Sequence, residues 1–322
     1  MISKNSKIFV AGHKGLVGSA IYKLLKKKKF TNILVKSKRD LDLRNHKKVE
    51  NLFKKNKIKY LIIAAAKAGG ILANQNYPTE FLNDNILIQS NLLMSAYKYK
   101  VKRTIFLGTS CVYPKYAKTP IKEEYLLGGY LEKTNESYAI AKITGIKLAE
   151  ALFRQYEQDI ICLMPTNIYG PNDKYHPEES HVIPGLIYKF NQAAVKNKNK
   201  ATVWGSGKPL REFLYSADLA DAIYLVLKSP KQLINKICQN KFPLINVGGS
   251  KNVSIKDLAY LIKKIINYRG KIIFNKKYPD GTYKKNLDSS KIRKLNWRPA
   301  TNLQKGIAKT INDFQLNIDV KR

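Results

Sequence analysis

Two side chains four residues apart, Tyr138 and Lys142, form the pattern in this sequence that points most directly to proton transfer. Residues at this spacing share one face of a helix. A lysine ammonium beside a tyrosine favours the phenolate, so we expect Lys142 to lower the pKa of Tyr138 from its usual value of about 10. Because Tyr-x-x-x-Lys also arises by chance in a chain rich in both residues, its meaning depends on the rest of the sequence.

A second group of reactive side chains lies shortly before this pair. The hydroxyl groups of Thr109 and Ser110 and the thiol of Cys111 are adjacent, and they follow a predicted buried strand, 103–108. Ligands bind at the carboxyl ends of the strands in open α/β sheets. We therefore expect these groups to face a ligand site together with the helix that carries the tyrosine.

The glycine pattern near the amino terminus predicts a dinucleotide site. Gly12, Gly15 and Gly18 lie between a predicted strand, 7–11, and a predicted helix, 19–29. The first glycines permit a tight turn and close approach of the backbone to a pyrophosphate, and the last permits close packing of helix and strand. The positive end of the helix then binds the phosphates. The other residues of this loop that we assign to the cofactor are Lys14, Leu16 and Val17.

Basic residues after the second predicted strand favour NADP over NAD. An NAD site usually has an acid there for the ribose hydroxyls, whereas a basic residue accommodates a 2′-phosphate. The sequence at this point is Lys36-Ser37-Lys38-Arg39. We assign Lys36 and Lys38 to the cofactor, and the alternative is that each is a solvated surface charge. Asp42 is predicted either to cap the next helix or to contact the adenine.

The order of the predicted elements indicates the fold class. Strands alternate with helices through about residue 170, as in a doubly wound parallel sheet. We predict a Rossmann-type α/β fold with a smaller, discontinuous carboxyl-terminal lobe that binds the substrate. The predicted NADP-binding domain is 1–170, with 212–250 returning to it, and the lobe comprises 171–211 and 251–322. The main predicted elements are the strands 7–11, 32–35, 60–66, 103–108, 160–164 and 244–247 and the helices 83–99 and 136–156.

The composition is that of an ordinary globular chain. It has 322 residues, of which 44% are hydrophobic, and it is long enough to bury a sizeable core. Cys111, Cys162 and Cys238 form neither a disulfide framework nor a zinc pattern, which favours a reducing compartment and argues against a metal. No stretch has the roughly 20 apolar residues of a membrane span, and the first residues do not resemble a signal peptide. We expect a cytoplasmic protein without a membrane partner.

The formal net charge of +36 is unusual and could indicate a nucleic-acid-binding protein. The lysines, however, are spread along the whole chain, and arginine, which recognises bases by paired hydrogen bonds, is scarce beside lysine. We interpret the charge as a compositional bias. We expect weak binding to polyanions at low salt and no specific nucleic-acid partner.

Together these motifs resemble the extended short-chain dehydrogenases/reductases. That superfamily combines the amino-terminal glycine pattern, a Ser or Thr shortly before a Val-Tyr pair, and Tyr-x-x-x-Lys. Within it, the chain resembles the GDP-L-fucose synthase family from about residue 7 to Trp297. The blocks that carry this resemblance are 64–71, 107–114, 164–171, 180–184, 204–207 and 211–213.

The resemblance implies a two-part reaction on GDP-4-keto-6-deoxy-D-mannose that yields GDP-L-fucose. C3 and C5 are epimerised, and the C4 ketone is then reduced with NADPH. The ketone acidifies the protons at C3 and C5, so one base and one acid suffice to remove and return them. By position, Cys111 corresponds to the base and His181 to the acid. Tyr138 would protonate the C4 oxygen, Thr109 would hydrogen-bond to it, and Lys142 would hold the nicotinamide ribose.

The resemblance also assigns further binding residues. Those expected to contact the cofactor are Ala64, Ala65, Pro165, Asn167 and His181, besides Lys142. Those expected to contact the substrate are Ser110, Asn167, Lys189, Trp204, Arg211 and Lys284. Alternative interpretations are that Cys111 is a small buried apolar residue, that His181 is a hydrogen-bonded loop histidine and that Trp204 packs in the core. His13, His46 and His176 have no partner that the sequence reveals, and we predict them to be non-catalytic.

Two positions depart from the family pattern. Thr109 stands where the family commonly has Ser, although its hydroxyl is retained. Lys284 stands where the family has Arg, so paired hydrogen bonding to a phosphate would be lost. Two rival functions remain: a GDP-L-colitose synthase acting on a 3,6-dideoxy-4-keto sugar, and an inactive basic nucleotide-binding protein. The resemblance also implies a homodimer built on the helices that begin near Asn83 and Glu136.

Overall fold

The computed structural model describes residues 2–249, 251–278 and 280–319. The predicted domain bounds at residues 1, 250 and 322 lie outside these described residues. The strands in chain order are β1 (Ile8–Ala11), β2 (Ile33–Leu34), β3 (Tyr60–Ile63), β4 (Arg103–Leu107), β5 (Ile160–Pro165), β6 (Asn167–Tyr169), β7 (Lys200–Trp204), β8 (Leu210–Arg211), β9 (Phe213–Tyr215), β10 (Leu244–Val247), β11 (Val253–Ser254), β12 (Lys271–Asn275) and β13 (Lys284–Lys285).

The α-helices are α1 (Leu16–Lys27), α2 (His46–Asn56), α3 (Ile71–Asn76), α4 (Pro78–Lys98), α5 (Glu136–Tyr156), α6 (Val182–Val195), α7 (Ser216–Lys228), α8 (Lys231–Ile237), α9 (Ile255–Ile266), α10 (Ser290–Arg293) and α11 (Leu303–Asp319). Three short 3₁₀ turns also occur, at Ser110–Val112, Glu123–Tyr125 and Lys133–Asn135.

A six-stranded parallel sheet forms the centre of the molecule. Its strand order is β10-β5-β4-β3-β1-β2. The order in which strands are added reverses at β1, because β2 pairs with β1 on one side and β3 pairs with it on the other. Ile8 and Val10 pack under α1 and α7 on one face, whereas Phe9 packs under α2, α4 and α5 on the other. Burial on both faces explains why these strands are almost continuously apolar. The predicted doubly wound α/β fold is confirmed.

The strands outside this sheet form three small sheets: β6 with β9, β7 with β12, and β8 between β11 and β13. Helices α6, α9 and α11 supply most of a third apolar core beside them, which includes Ile187, Phe190, Leu258 and Ile311. The predicted strand 244–247 lies at the edge of the central sheet, where β10 pairs with β5. We call the three small sheets together with helices α6, α9 and α11 the second part of the chain. This second part lies beside the carboxyl edge of the central sheet and forms one wall of a cleft.

The long helices were predicted with different accuracy at their ends. Helix α5 has the predicted bounds, but α4 begins at Pro78 rather than near residue 83. Proline suits the first turn of a helix because its fixed φ is helical and its missing N–H would have no partner there. Asn45, not Asp42, caps α2: its side chain accepts a hydrogen bond from the Lys48 N–H.

Candidate active site

A cleft of about 570 Å³ lies between the carboxyl edge of the central sheet and the second part of the chain. Its lining combines residues that follow β3, β4 and β5 with residues from α1, α5, α6 and the small sheets. Most of the predicted site residues line this one cleft: Gly15, Leu16, Val17, Ala64, Thr109, Ser110, Cys111, Tyr138, Lys142, Pro165, Asn167, His181, Lys189, Trp204 and Arg211.

The glycine turn leaves room for nothing larger than hydrogen at two positions. Gly12 has a φ of +89°, and a Cβ there would lie 2.7 Å from the Ala65 nitrogen. A Cβ on Gly18 would lie 2.0 Å from the Gly12 carbonyl oxygen. Gly12 is therefore in close contact with both Ala65 and Gly18. Among the described residues, no side chain caps the first turn of α1, whose N–H groups therefore remain available to phosphate.

The basic residues predicted to select the cofactor lie beyond the cleft lining, at the outer end of the dinucleotide half. Lys14, Lys36 and Lys38 are all exposed. Lys36 and Lys14 both help to lower the pKa of Asp40, although the main cause is hydrogen bonding from Ser37. The two lysines therefore lie near each other, as paired cations for an additional phosphate would.

Asp42, by contrast, is engaged with a neighbouring arginine. Its carboxylate forms paired hydrogen bonds with Arg44, at 2.6 and 3.0 Å, and Arg44 also binds Asp84. Hydrogen bonding from Arg44 lowers the pKa of Asp42 to about 2. The prediction that Asp42 caps the next helix is therefore wrong. Its proposed contact with adenine remains a prediction.

Lys142 and Tyr138 face the cleft from the first turns of α5. Lys142 is buried, and its Nζ donates a hydrogen bond to the Leu107 carbonyl oxygen at 2.9 Å. Its ammonium lies over the faces of the Phe106 and Tyr138 rings, 4.9 and 6.0 Å from their centroids. Burial lowers the pKa of Lys142 to about 8.

The expectation that Lys142 lowers the pKa of Tyr138 is wrong for this structure. Burial raises the pKa of the Tyr138 phenol, and the negative charge that Cys111 can carry raises it further. Desolvation opposes the phenolate, and the lysine donates its hydrogen bond to a backbone carbonyl instead of the phenol. Tyr138 is therefore a protonated phenol at neutral pH, which is the state that a proton donor needs.

Cys111 is held in a short turn at the end of β4. The Thr109 hydroxyl oxygen accepts a hydrogen bond from the Cys111 N–H at 3.2 Å and so caps the 3₁₀ turn Ser110–Val112. The thiol is partly accessible, unlike those of Cys162 and Cys238, which are buried. Cys111 is close enough to both Tyr138 and Arg211 for its charge to affect their pKa values.

His181 is the residue immediately before α6 and lines the same cleft as Cys111 and Tyr138. It makes no capping hydrogen bond with its side chain among the described residues, so the imidazole is free to face the cleft. The residue is exposed, yet desolvation of its ring by the neighbouring protein lowers its pKa. The cleft thus holds one thiol and one imidazole beside the phenol, although they are far apart in the sequence.

An aromatic stack forms the far end of the cleft. Trp204 stacks on Tyr278 with ring centroids 4.4 Å apart and an angle of 13° between the planes. The Lys189 ammonium lies 3.6 Å from the Trp204 ring centroid, and burial lowers the pKa of Lys189 to about 8. Nearby, Arg211 Nη1 donates to the Leu210 carbonyl oxygen at 2.9 Å. This end combines flat apolar surface with positive charge, as a nucleoside diphosphate requires.

Lys284 does not line the cleft, whereas its neighbour Lys285 does. Both residues form β13, and consecutive side chains of a strand point to opposite sides. Lys284 is exposed and Lys285 is half-buried. The sequence match therefore identified the correct strand and assigned the inward position to the wrong lysine.

The predicted site residues include none of the four acidic residues that line the cleft, Glu132, Asp173, Glu179 and Asp280, of which the first two are buried or desolvated. Glu132 is buried, pairs with Lys115 at 3.2 Å and accepts a hydrogen bond from Thr282 at 3.4 Å. Burial raises the pKa of Asp173 to about 7, and its Oδ2 atom has no hydrogen-bond partner among the described residues. Asp173 lies two residues after the matched block 164–171, and this position was the only signal in the sequence.

No helix within 2–249, 251–278 and 280–319 is long and apolar enough to cross a membrane. Within the same ranges, no three or more His, Cys, Asp and Glu side chains are grouped as metal ligands would be.

Known proteins match this chain over nearly its whole length. The model of the NAD dependent epimerase/dehydratase family matches residues 8–240. A putative GDP-L-fucose synthase 2 of Arabidopsis thaliana is 46% identical over 322 residues, covering 100% of this chain and 95% of that one. The GDP-L-fucose synthase of Escherichia coli (strain K12) is 42% identical over 313 residues, covering 97% and 98%. A solved GDP-L-fucose synthetase from Naegleria fowleri bound to NADP has a TM-score of 0.86 and 29% identity, covering 99% and 97%.

Proposed function

Because this chain belongs to the NAD dependent epimerase/dehydratase family and, within it, to the GDP-L-fucose synthases, we propose that its cleft makes GDP-L-fucose. The substrate is GDP-4-keto-6-deoxy-D-mannose, and the cofactor is NADPH. The enzyme epimerises C3 and C5 and reduces the C4 ketone. One observation carries this proposal: a thiol, an imidazole and a Tyr-Lys pair line the same cleft.

The dinucleotide half of the cleft fits the cofactor. The turn at Gly12 and Gly18 excludes any Cβ, so the backbone can approach the pyrophosphate closely. The first N–H groups of α1 point toward the phosphates, and Lys14 and Lys36 provide charge for the 2′-phosphate. When bound, NADPH supplies the hydride that reduces C4.

Epimerisation needs a base and an acid on opposite sides of the sugar. Cys111 as thiolate removes the proton from C3 or C5, which the neighbouring ketone has made acidic. The resulting negative charge moves to the C4 oxygen, where the hydroxyl groups of Thr109 and Tyr138 stabilise it by hydrogen bonds. His181, which lines the same cleft, returns a proton to the opposite face of the same carbon.

Reduction uses the phenol of the Tyr-Lys pair. Tyr138 gives its proton to the C4 oxygen as that oxygen gains negative charge. The buried ammonium of Lys142 stabilises the phenolate that remains, through its position over the ring. At the far end, Arg211, Lys189 and Trp204 hold the diphosphate and the base, which keeps C4 beside the phenol.

Product analysis tests the proposal. The purified protein is incubated with GDP-4-keto-6-deoxy-D-mannose and NADPH, and the nucleotide sugar formed is identified by NMR. We expect GDP-L-fucose. If none is formed while a GDP-linked 3,6-dideoxy-4-keto sugar is turned over, the protein is a colitose synthase instead.

Variants separate the two half-reactions. Tyr138→Phe is expected to abolish NADPH oxidation and to leave NADPH binding intact. Cys111→Ser and His181→Asn are expected to abolish solvent deuterium exchange at C3 and C5 while sparing cofactor binding. Full reductase activity in Tyr138→Phe, or exchange that persists in both of the other variants, would contradict these roles.

The assembly and location of the protein belong to the same proposal. Helices α4 and α5 pack together, and Leu87, Met94, Ile140 and Tyr156 are 37–42% exposed on them. This apolar surface supports a homodimer, so Met94→Lys is expected to halve the mass measured by light scattering. The free thiols of Cys111, Cys162 and Cys238 suit the reducing cytoplasm.

A further inference from the structure

The segment that leads to His181 is held together by its own side chains. We call residues 171–180, between β6 and α6, the acid loop because they precede the proposed acid. His176 and Ser180 lie within it. The sequence revealed no partner for His176, but the structure gives its ring two.

His176 acts as a hydrogen-bond acceptor inside the acid loop. Its Nδ1 atom accepts from the N–H of Glu179 at 3.1 Å and from the N–H of Glu178 at 3.3 Å. An atom that accepts two N–H groups carries no proton, so the proton of the neutral ring is on Nε2. The imidazole thereby shapes the backbone in the residues immediately before Ser180 and His181.

Ser180 closes the same loop from its other end. Its hydroxyl accepts a hydrogen bond from the His176 N–H and donates one to the Lys174 carbonyl oxygen at 2.6 Å. An ion pair between Lys174 and Glu179 spans the loop on the outside. The side chains of His176 and Ser180 therefore lock residues 174–180 into one closed turn.

The acid loop also contacts the opposite wall of the cleft. The Gly70 N–H, in the segment after β3, donates to the Glu179 carbonyl oxygen at 2.7 Å. A Cβ on Gly70 would lie 2.3 Å from the Ser180 carbonyl oxygen, so the two segments are in tight contact. The closed turn thus sets the distance between His181 and the wall formed after β3.

We propose that His176 and Ser180 are positioning residues for epimerisation, which hold His181 where it can protonate C3 and C5. This inference rests on the proposed function of His181. His181 itself makes no side-chain capping bond within the described residues, so its orientation depends on the backbone that precedes it. A general acid must lie within hydrogen-bonding reach of the carbon it protonates, and a misplacement of about 1 Å costs ~10²-fold in rate.

The reductase groups lie outside this loop. Tyr138 and Lys142 are on α5, and Lys142 is fixed by the Leu107 carbonyl oxygen. Loss of the His176 acceptor should therefore slow epimerisation selectively. A general weakening of the fold would instead lower both half-reactions and the cofactor affinity together.

A pair of substitutions at one position tests the role of His176. His176→Leu removes the acceptor, whereas His176→Asn keeps a side-chain oxygen that can accept N–H groups two and three residues ahead. We expect His176→Leu to slow deuterium exchange at C3 and C5 by ~10²-fold and His176→Asn to retain most of the exchange. Exchange is measured by NMR with NADP⁺ present, and the affinity for NADPH and the melting temperature should not change.

A supply of already epimerised ketone distinguishes a misplaced His181 from general damage to the site of His176→Leu. Wild-type protein without NADPH epimerises but does not reduce, so the epimerised ketone that it forms, separated from the enzyme by ultrafiltration, can be supplied to His176→Leu, which should then oxidise NADPH at close to the wild-type rate. Ser180→Ala, which removes both loop-closing bonds with little change in volume, should behave like His176→Leu. If the wild type exchanges deuterium and His176→Leu exchanges it equally fast, or if His176→Leu does not reduce the supplied epimerised ketone, the inference is wrong. If the wild type itself shows no exchange, the proposed function is wrong.

Discussion

Replacement of Lys142 by methionine should inactivate the reductase and make the protein more stable. Lys142 is 3% exposed, and its Nζ atom donates to the Leu107 carbonyl oxygen at 2.9 Å. This bond does not compensate for the loss of water around the ammonium, because the pKa of the lysine falls from 10.5 to about 8. Methionine has a similar length and carries no charge to bury.

The size of the effect follows from that fall in pKa. At ~1.4 kcal/mol per pKa unit, the buried ammonium destabilises the folded protein by about 3 kcal/mol at pH 7. Lys142→Met removes this cost but also the hydrogen bond to Leu107, which is worth ~1 kcal/mol. The expected gain in the free energy of unfolding is therefore about 2 kcal/mol.

The pH dependence provides the sharper test. Below pH 8 Lys142 is protonated in both the folded and the unfolded protein, so the destabilisation is fully present. Between pH 8 and 10.5 the folded protein loses this proton before the unfolded chain does, and the wild type becomes more stable as the pH rises. The advantage of Lys142→Met should therefore shrink by about 2 kcal/mol between pH 7 and pH 9.5.

Urea unfolding without cofactor, at pH 7 and pH 9.5, measures both quantities, and NADPH oxidation measures the reductase. Titration of all other groups cancels in the difference between the two proteins. If Lys142→Met is less stable than the wild type at pH 7, or if the difference is the same at both pH values, the account of the buried ammonium is wrong.

Three further predictions follow from the contacts. Gly18→Ala would place a methyl group 2.0 Å from a backbone oxygen and should cost about 3 kcal/mol in urea unfolding, whereas Gly15→Ala, with its nearest atom at 3.5 Å, should cost less than about 1 kcal/mol. Replacing Lys36 and Lys38 by Ser should raise the KM for NADPH about tenfold or more and leave that for NADH unchanged; a lower KM for NADH than for NADPH in the wild type would refute this cofactor assignment. Arg103→Met should cost about 3–5 kcal/mol of unfolding free energy, because it leaves a carboxylate and three carbonyl oxygens without their buried partner; a loss below 1 kcal/mol would contradict this.

Much of the fold and part of the site could be predicted from local patterns. Gly12 and Gly18 are recognisable because their spacing reports a backbone constraint, and the structure shows the Cβ clash behind it. Tyr138 and Lys142 could be placed on one helix face because a spacing of four residues is close to one helical turn. Buried parallel strands were recognisable because both of their faces are apolar.

Other properties of the site depend on segments that are far apart in the sequence. The pKa of Tyr138 rises because the cleft desolvates the phenol, and no neighbour in the sequence indicates how deeply it lies. Lys285 faces the cleft instead of Lys284 because β13 pairs with β8 in one particular register. Burial, strand register and contacts across the cleft depend on the whole chain, whereas glycine spacing and helix periodicity depend on a few adjacent residues.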